Sequence, residues 1–119
     1  MSLGAQAQRL LASLQQYQAQ LESVVQQRKL VEAEINELKK VKEELSKLSD
    51  DAEIYQNLGH VLIKVKKSEA LKEVGDKLEL LEVRLSALKN QEEMIKKEME
   101  KLKAELQKYV GGVTPSGGG

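Results

Sequence analysis

Few residues in this sequence have types and spacing that could do chemistry. His60 is the single histidine and follows Gly59. A glycine–histidine step between two apolar runs reads as a turn, and one histidine cannot make a His-pair metal site. Neighbouring carboxylates such as Glu43-Glu44 and Glu92-Glu93 could act as acid–base pairs, but they sit among lysines, where a solvated helix face is expected. Lys64, Lys66 and Lys67 could form a basic wing for a phosphate backbone; Asp50, Asp51 and Glu53 offset them nearby. Cysteine is absent, which excludes disulfides, thiolate zinc sites and a cysteine nucleophile. No G-x-x-x-x-G-K-[ST], G-x-S-x-G or G-x-G-x-x-G run occurs. The sequence therefore predicts no catalytic residue, no cofactor and no metal, and the chain is not expected to be an enzyme.

The elements that must position whatever function remains are long helices. The chain has 119 residues, with 19 basic and 19 acidic side chains and no formal net charge. That length suits one domain, and the charge balance argues against a nucleic-acid or membrane partner. There is no Phe and no Trp, and 32% of the residues are charged. A rounded core would need large aromatics; this composition suits a coiled coil. No apolar run is long enough for a transmembrane helix, and the N-terminus lacks signal-peptide features. The absence of cysteine is compatible with the cytoplasm, the expected location.

Alternating steps of four and three residues from Leu3 visit Ala7, Leu10, Leu14, Tyr17, Leu21, Val24, Arg28, Val31, Ile35, Leu38, Lys42 and Leu45; all but Arg28 and Lys42 are apolar. The same stepping from Leu71 visits Val74, Leu78, Leu81, Leu85, Leu88, Glu92, Ile95, Met99, Leu102, Leu106 and Tyr109, with Glu92 the exception. A period of 3.5 marks a coiled-coil seam. The pattern predicts one helix over about 3–48 and a second over about 69–110, roughly 70 and 63 Å long at 1.5 Å per residue. Ser68 is the expected N-cap of the second, and Gly111-Gly112 its stop. The Gly-rich segment 111–119 is expected to be disordered.

Between the helices, Ser49-Asp50-Asp51 reads as a turn. Ile54–Leu58 and Val61–Val65 then flank Gly59-His60. The predicted element is a β-hairpin over about 53–66. A lone hairpin is marginal in water. Its apolar residues Ile54, Leu58, Val61, Leu62, Ile63 and Val65 are therefore expected to be buried against something else, with Leu62 on the face opposite Ile63, against the helices or a neighbour.

Two seams of similar length joined by a short connector predict an antiparallel pair. Pairing positions whose numbers sum to 116 puts Ile35 opposite Leu81 and Leu14 opposite Leu102. It also puts Arg28 and Glu92 in adjacent layers, as a seam ion pair that costs stability and fixes register. The alternative is that each charge reaches solvent separately.

From Gly4 to Gln27 the charged residues are Arg9 and Glu22, among many glutamines. The end of the coiled coil formed by Leu3, Leu10, Leu11, Leu14, Leu102, Leu106, Tyr109 and Val110 is thus weakly charged. It is expected either to fray as an ordinary coiled-coil end or to offer an adaptable apolar contact site.

The connector SDDAEIYQNLGHVLIKV, with LQQYQAQLESVVQQRKLVEAEINEL before it and LELLEVRLSALKNQEEMIKKEMEKL after it, resembles prefoldin subunits of the beta class, archaeal in style, over about residues 5–108. Alpha-class subunits carry two hairpins, for which this connector is too short. The resemblance implies a mainly α fold with one hairpin. It implies a hexamer of two alpha and four beta subunits joined through a hairpin-built double β-barrel. It also implies an ATP-independent chaperone that holds non-native proteins at its coiled-coil tips and delivers them to a group II chaperonin. A coiled-coil adaptor or spacer without chaperone activity is the competing expectation.

Overall fold

The computed structural model describes residues 4–110. Four elements follow in order: α1 (Ala5–Lys47), β1 (Ile54–Asn57), β2 (Leu62–Val65) and α2 (Lys67–Val110). The protein is mainly α, with two long helices and an antiparallel two-stranded hairpin between them. Leu3 and the segment 111–119 lie outside the described residues.

α1 starts where the Gly4 carbonyl accepts from the Gln8 amide at 3.0 Å. No glycine or proline interrupts it. It ends in a turn closed by backbone hydrogen bonds and a Ser49–Asp51 side-chain bond. The Leu48 amide turns to the Leu45 carbonyl at 3.2 Å, the Ala52 amide to Ser49 at 3.1 Å, and the Ser49 hydroxyl to the Asp51 carboxylate at 2.8 Å.

α2 begins two residues before the position expected from Ser68. The Lys66 carbonyl accepts from the Ala70 amide at 2.9 Å, so Lys66 occupies the cap and Ser68 lies in the first turn. Residue type favours Ser68 as a cap, but the backbone is already helical when the chain reaches it. Glu69 in that first turn suits the positive helix end.

The described residues fall into two compact units. In the unit Lys29–Ala87, Val31, Ile35 and Leu78 are buried. In the unit formed by residues up to Arg28 with those from Leu88 on, the buried side chains are Ala7, Val24, Leu88, Ile95 and Met99. All eight occupy seam positions, whereas Leu30, Leu80, Val83 and Met94, off the seam, are exposed. The apolar stripe is therefore narrow, as a 3.5-residue period requires. Each buried Leu, Ile or Val contributes about 1.5–3 kcal/mol, which many layers sum without large aromatics.

Candidate functional site

The hairpin is built on a tight reversal. Gly59 has φ +98°, a value that L side chains rarely adopt. The Asn57 side-chain oxygen accepts from the Gly59 amide at 2.8 Å, and the Leu58 amide donates to the Val61 carbonyl at 2.9 Å. β1 and β2 then pair as Ile54 with Val65, Tyr55 with Lys64, Gln56 with Ile63, and Asn57 with Leu62.

Opposite residues share a face. One face carries Ile54, Gln56, Ile63 and Val65, the other Tyr55, Asn57, Leu62 and Lys64. Ile54, Gln56 and Val65 are half-buried. They roof a cavity of about 230 Å³ whose other walls include Leu38, Val41, Leu45 and Val74. The Gln56 amide donates to Glu73 of α2 at 2.9 Å. This face is the inner one. Leu62, 65% exposed, and Tyr55, 54% exposed, lie on the opposite face of the strands. Leu62 therefore does not pack on its own helices. Leu58, Val61 and Ile63 are exposed as well.

The six apolar residues expected to act together in the hairpin are thus divided: Ile54 and Val65 serve the inner face, and the others remain open. Tyr55 joins the outer face without having been expected there; strand parity with Leu62 is the signal in the sequence that points to it.

Lys67 is not a solvated surface lysine. Its side chain does not join Lys64 and Lys66 in a surface wing and is only 16% exposed. Its Nζ donates to the Leu48 carbonyl at 2.8 Å and the Ser46 carbonyl at 3.3 Å, and pairs with Asp50 at 3.5 Å. Lys64 pairs loosely with Glu53 at 3.8 Å. No continuous basic wing forms.

In the other unit, Arg28 Nε donates to Glu92 Oε1 at 2.6 Å, and Lys96 Nζ to Glu92 Oε2 at 3.2 Å. The Glu92 side chain is 12% exposed. The hydrogen bond from Arg28, followed by that from Lys96, holds the Glu92 carboxyl below its ordinary 4.5.

Of the residues expected at the tip, Leu10, Leu11, Leu14, Leu102, Leu106 and Val110 are half-buried, and Tyr109 is 50% exposed. Leu3 is outside the described residues. The open apolar surface here is thus smaller than residue type alone suggests.

His60 lies exposed beside Gly59. Among the described residues no group of three or more His, Cys, Asp or Glu could hold a metal ion. No helix among them is long and apolar enough to cross a membrane.

Two long helices bracketing one hairpin, with exposed apolar residues on the hairpin and a charged layer in the seam, define a coiled-coil subunit with an exposed hairpin. A family model described as prefoldin subunit matches residues 8–112, and the chain belongs to that family. It is 45% identical over 102 residues to prefoldin subunit beta of Thermococcus gammatolerans, covering 86% of this chain and 87% of that one. Identity to prefoldin subunit beta of Pyrococcus furiosus is also 45%, with the same coverage. The crystal structure of the prefoldin beta subunit from Thermococcus strain KS-1 superposes with a TM-score of 0.85 at 39% identity, over 90% of this chain and 94% of that one. The beta2 subunit from the same strain shares the fold, with a TM-score of 0.68 at 21% identity, over 76% of this chain and 97% of that one. The protein is a prefoldin chaperone subunit with archaeal relatives.

Proposed function

We propose that this chain works as the beta-class subunit of an ATP-independent holding chaperone in the cytoplasm, residues 1–110 acting as one domain. Its hairpin joins those of alpha-class and other beta copies in a shared β-barrel of two alpha and four beta subunits. The coiled-coil tips hold non-native proteins, which pass to a group II chaperonin.

The observation that carries this reading is the exposed apolar surface of the hairpin. Leu58, Val61 and Leu62 are exposed on or beside strands only four residues long. Such a hairpin has two free edges and an uncovered apolar surface, and strand addition from a neighbour satisfies both. A tip carrying Leu10, Leu11, Leu106 and Tyr109, whose α1 side has Arg9 as its one charge before Glu22, supports many weak contacts in preference to one tight partner.

Co-expression with a two-hairpin alpha-class subunit, followed by native mass measurement, tests the assembly. The expected mass is that of two alpha and four beta chains. Val61→Asp or Ile63→Asp should abolish the complex while preserving helix content. Removing residues 1–12 and 105–119 should abolish suppression of client aggregation. Unchanged suppression would favour a spacer, or a client surface elsewhere. Client refolding with and without a group II chaperonin tests the delivery step.

A further inference from the structure

α1 ends without the device that usually closes a helix. Its last carbonyls need partners, and a left-handed glycine just past the end commonly supplies them. Among the described residues, Gly59 alone has positive φ, so α1 has no such cap. The Ser46 and Leu48 carbonyls are instead met by the ammonium of Lys67, from 21 and 19 residues further along the chain.

The location of Lys67 matters as much as its bonds. It is the first residue of α2, two positions after β2 ends at Val65. Its side chain reaches the last turn of α1 and the turn that leads into β1. One lysine thus ties together the chain entering the hairpin and the chain leaving it. Asp50 adds a carboxylate at 3.5 Å, and the negative end of the α1 dipole adds further attraction. The neighbouring Lys64 and Lys66 are exposed. The second tie is Gln56 to Glu73, which holds the middle of β1 to α2.

We infer that Lys67 is the positioning residue of the hairpin: by closing its base it fixes the angle at which Tyr55, Leu58, Val61 and Leu62 are presented for assembly. The inference rests on the assembly reading above. A presented surface that is already ordered loses less freedom on binding, so the tie strengthens association without touching the partner.

The test measures the dissociation constant for an alpha-class subunit, with helix content read by circular dichroism. Lys67→Met should weaken assembly about ten- to a hundredfold, the range expected for hydrogen bonds from a charged donor. Lys67→Arg, which keeps a cation and donors, should stay within about threefold of the parent on the same scale. Unchanged assembly of Lys67→Met overturns the inference.

A role limited to capping α1 is separated by Ser49→Gly, which supplies a glycine past the helix end. If Ser49→Gly alone assembles normally and restores Lys67→Met fully, Lys67 is only a cap and the inference fails. If it restores helix content but not affinity, the positioning role stands. Should the parent chain not assemble at all, the assembly reading fails. The clasp is then read in the chain alone by hydrogen exchange. Faster exchange across 52–65 in Lys67→Met supports the clasp, and unchanged exchange overturns it.

Discussion

Arg28 and Glu92, 64 positions apart in sequence, meet at 2.6 Å at two positions of a predominantly apolar seam. Neither residue suits a seam alone. Together, with Lys96 on the second carboxylate oxygen, they satisfy each other's charge. Such pairs commonly specify register at some cost in stability. Arg28→Leu and Glu92→Leu should therefore each lower the melting temperature, since each removes the 2.6 Å partner of a largely buried charge. The double variant should melt above either single one, because it replaces the pair with apolar volume. Thermal melts of the four proteins measure the coupling; simple additivity would show that the two residues contribute independently.

The same carboxylate sets a pH dependence. Its folded pKa lies below the ordinary 4.5 because Arg28 and Lys96 hydrogen-bond the charged form. Below that ordinary value the unfolded chain binds more protons than the folded one, so stability falls as pH falls. The contribution is fully present above 4.5 and disappears as pH drops through the depressed folded value. Glu92→Gln should show a shallower fall in melting temperature than the parent as the pH is lowered from above 4.5 into the strongly acid range. Identical slopes would contradict the assignment.

Ile35 and Leu80 separate seam from flank. Ile35 is 4% exposed and Leu80 72%. Ile35→Ala removes packed methyl groups and should cost about 3 kcal/mol. Leu80→Ala should change stability by no more than about 0.5 kcal/mol. Urea unfolding with equal m-values checks both.

The seam is readable because one side chain in every 3.5 must be apolar whatever its partner, which marks Val31, Ile35, Leu78 and Leu88 directly. Gly59 likewise announces its turn, since few other residues tolerate its φ. Lys67 is hidden for a physical reason. A lysine in Lys64-Val65-Lys66-Lys67 reads as solvated charge, and its partners are backbone carbonyls with no side-chain signature. Recognising it requires knowing that α1 ends uncapped and that residue 67 returns beside that end. The tip looks more open in the sequence than it is, because residue type reports apolarity, not whether Leu10 or Leu106 is covered by its neighbours.

The outer hairpin face makes a distinction between Leu62 and Val65. Leu62 is exposed on the side away from the helices, while Val65 is half-buried on the inner side and lines the cavity. Leu62→Asp should leave the free chain's melting temperature near that of the parent and abolish assembly with an alpha-class subunit. Val65→Asp should lower the melting temperature itself, by burying a charge without a partner. Light scattering and thermal melts on both variants read the two effects separately. Equal losses in both would place Leu62 in the fold of the free chain.

Two glycines should respond with opposite signs to the same substitution. At Gly59 the backbone sits at φ +98°, and added side-chain bulk is strained even though no atom lies within 4 Å of a new Cβ. Gly59→Ala should therefore destabilise the hairpin by about 1–2 kcal/mol. Gly75 lies inside α2, with negative φ and likewise nothing within 4 Å of an added Cβ. There glycine only adds freedom to the unfolded chain. Gly75→Ala should stabilise the protein by about 1 kcal/mol. Chemical denaturation of the two variants measures both signs. A destabilised Gly75→Ala would contradict the open space found around that turn.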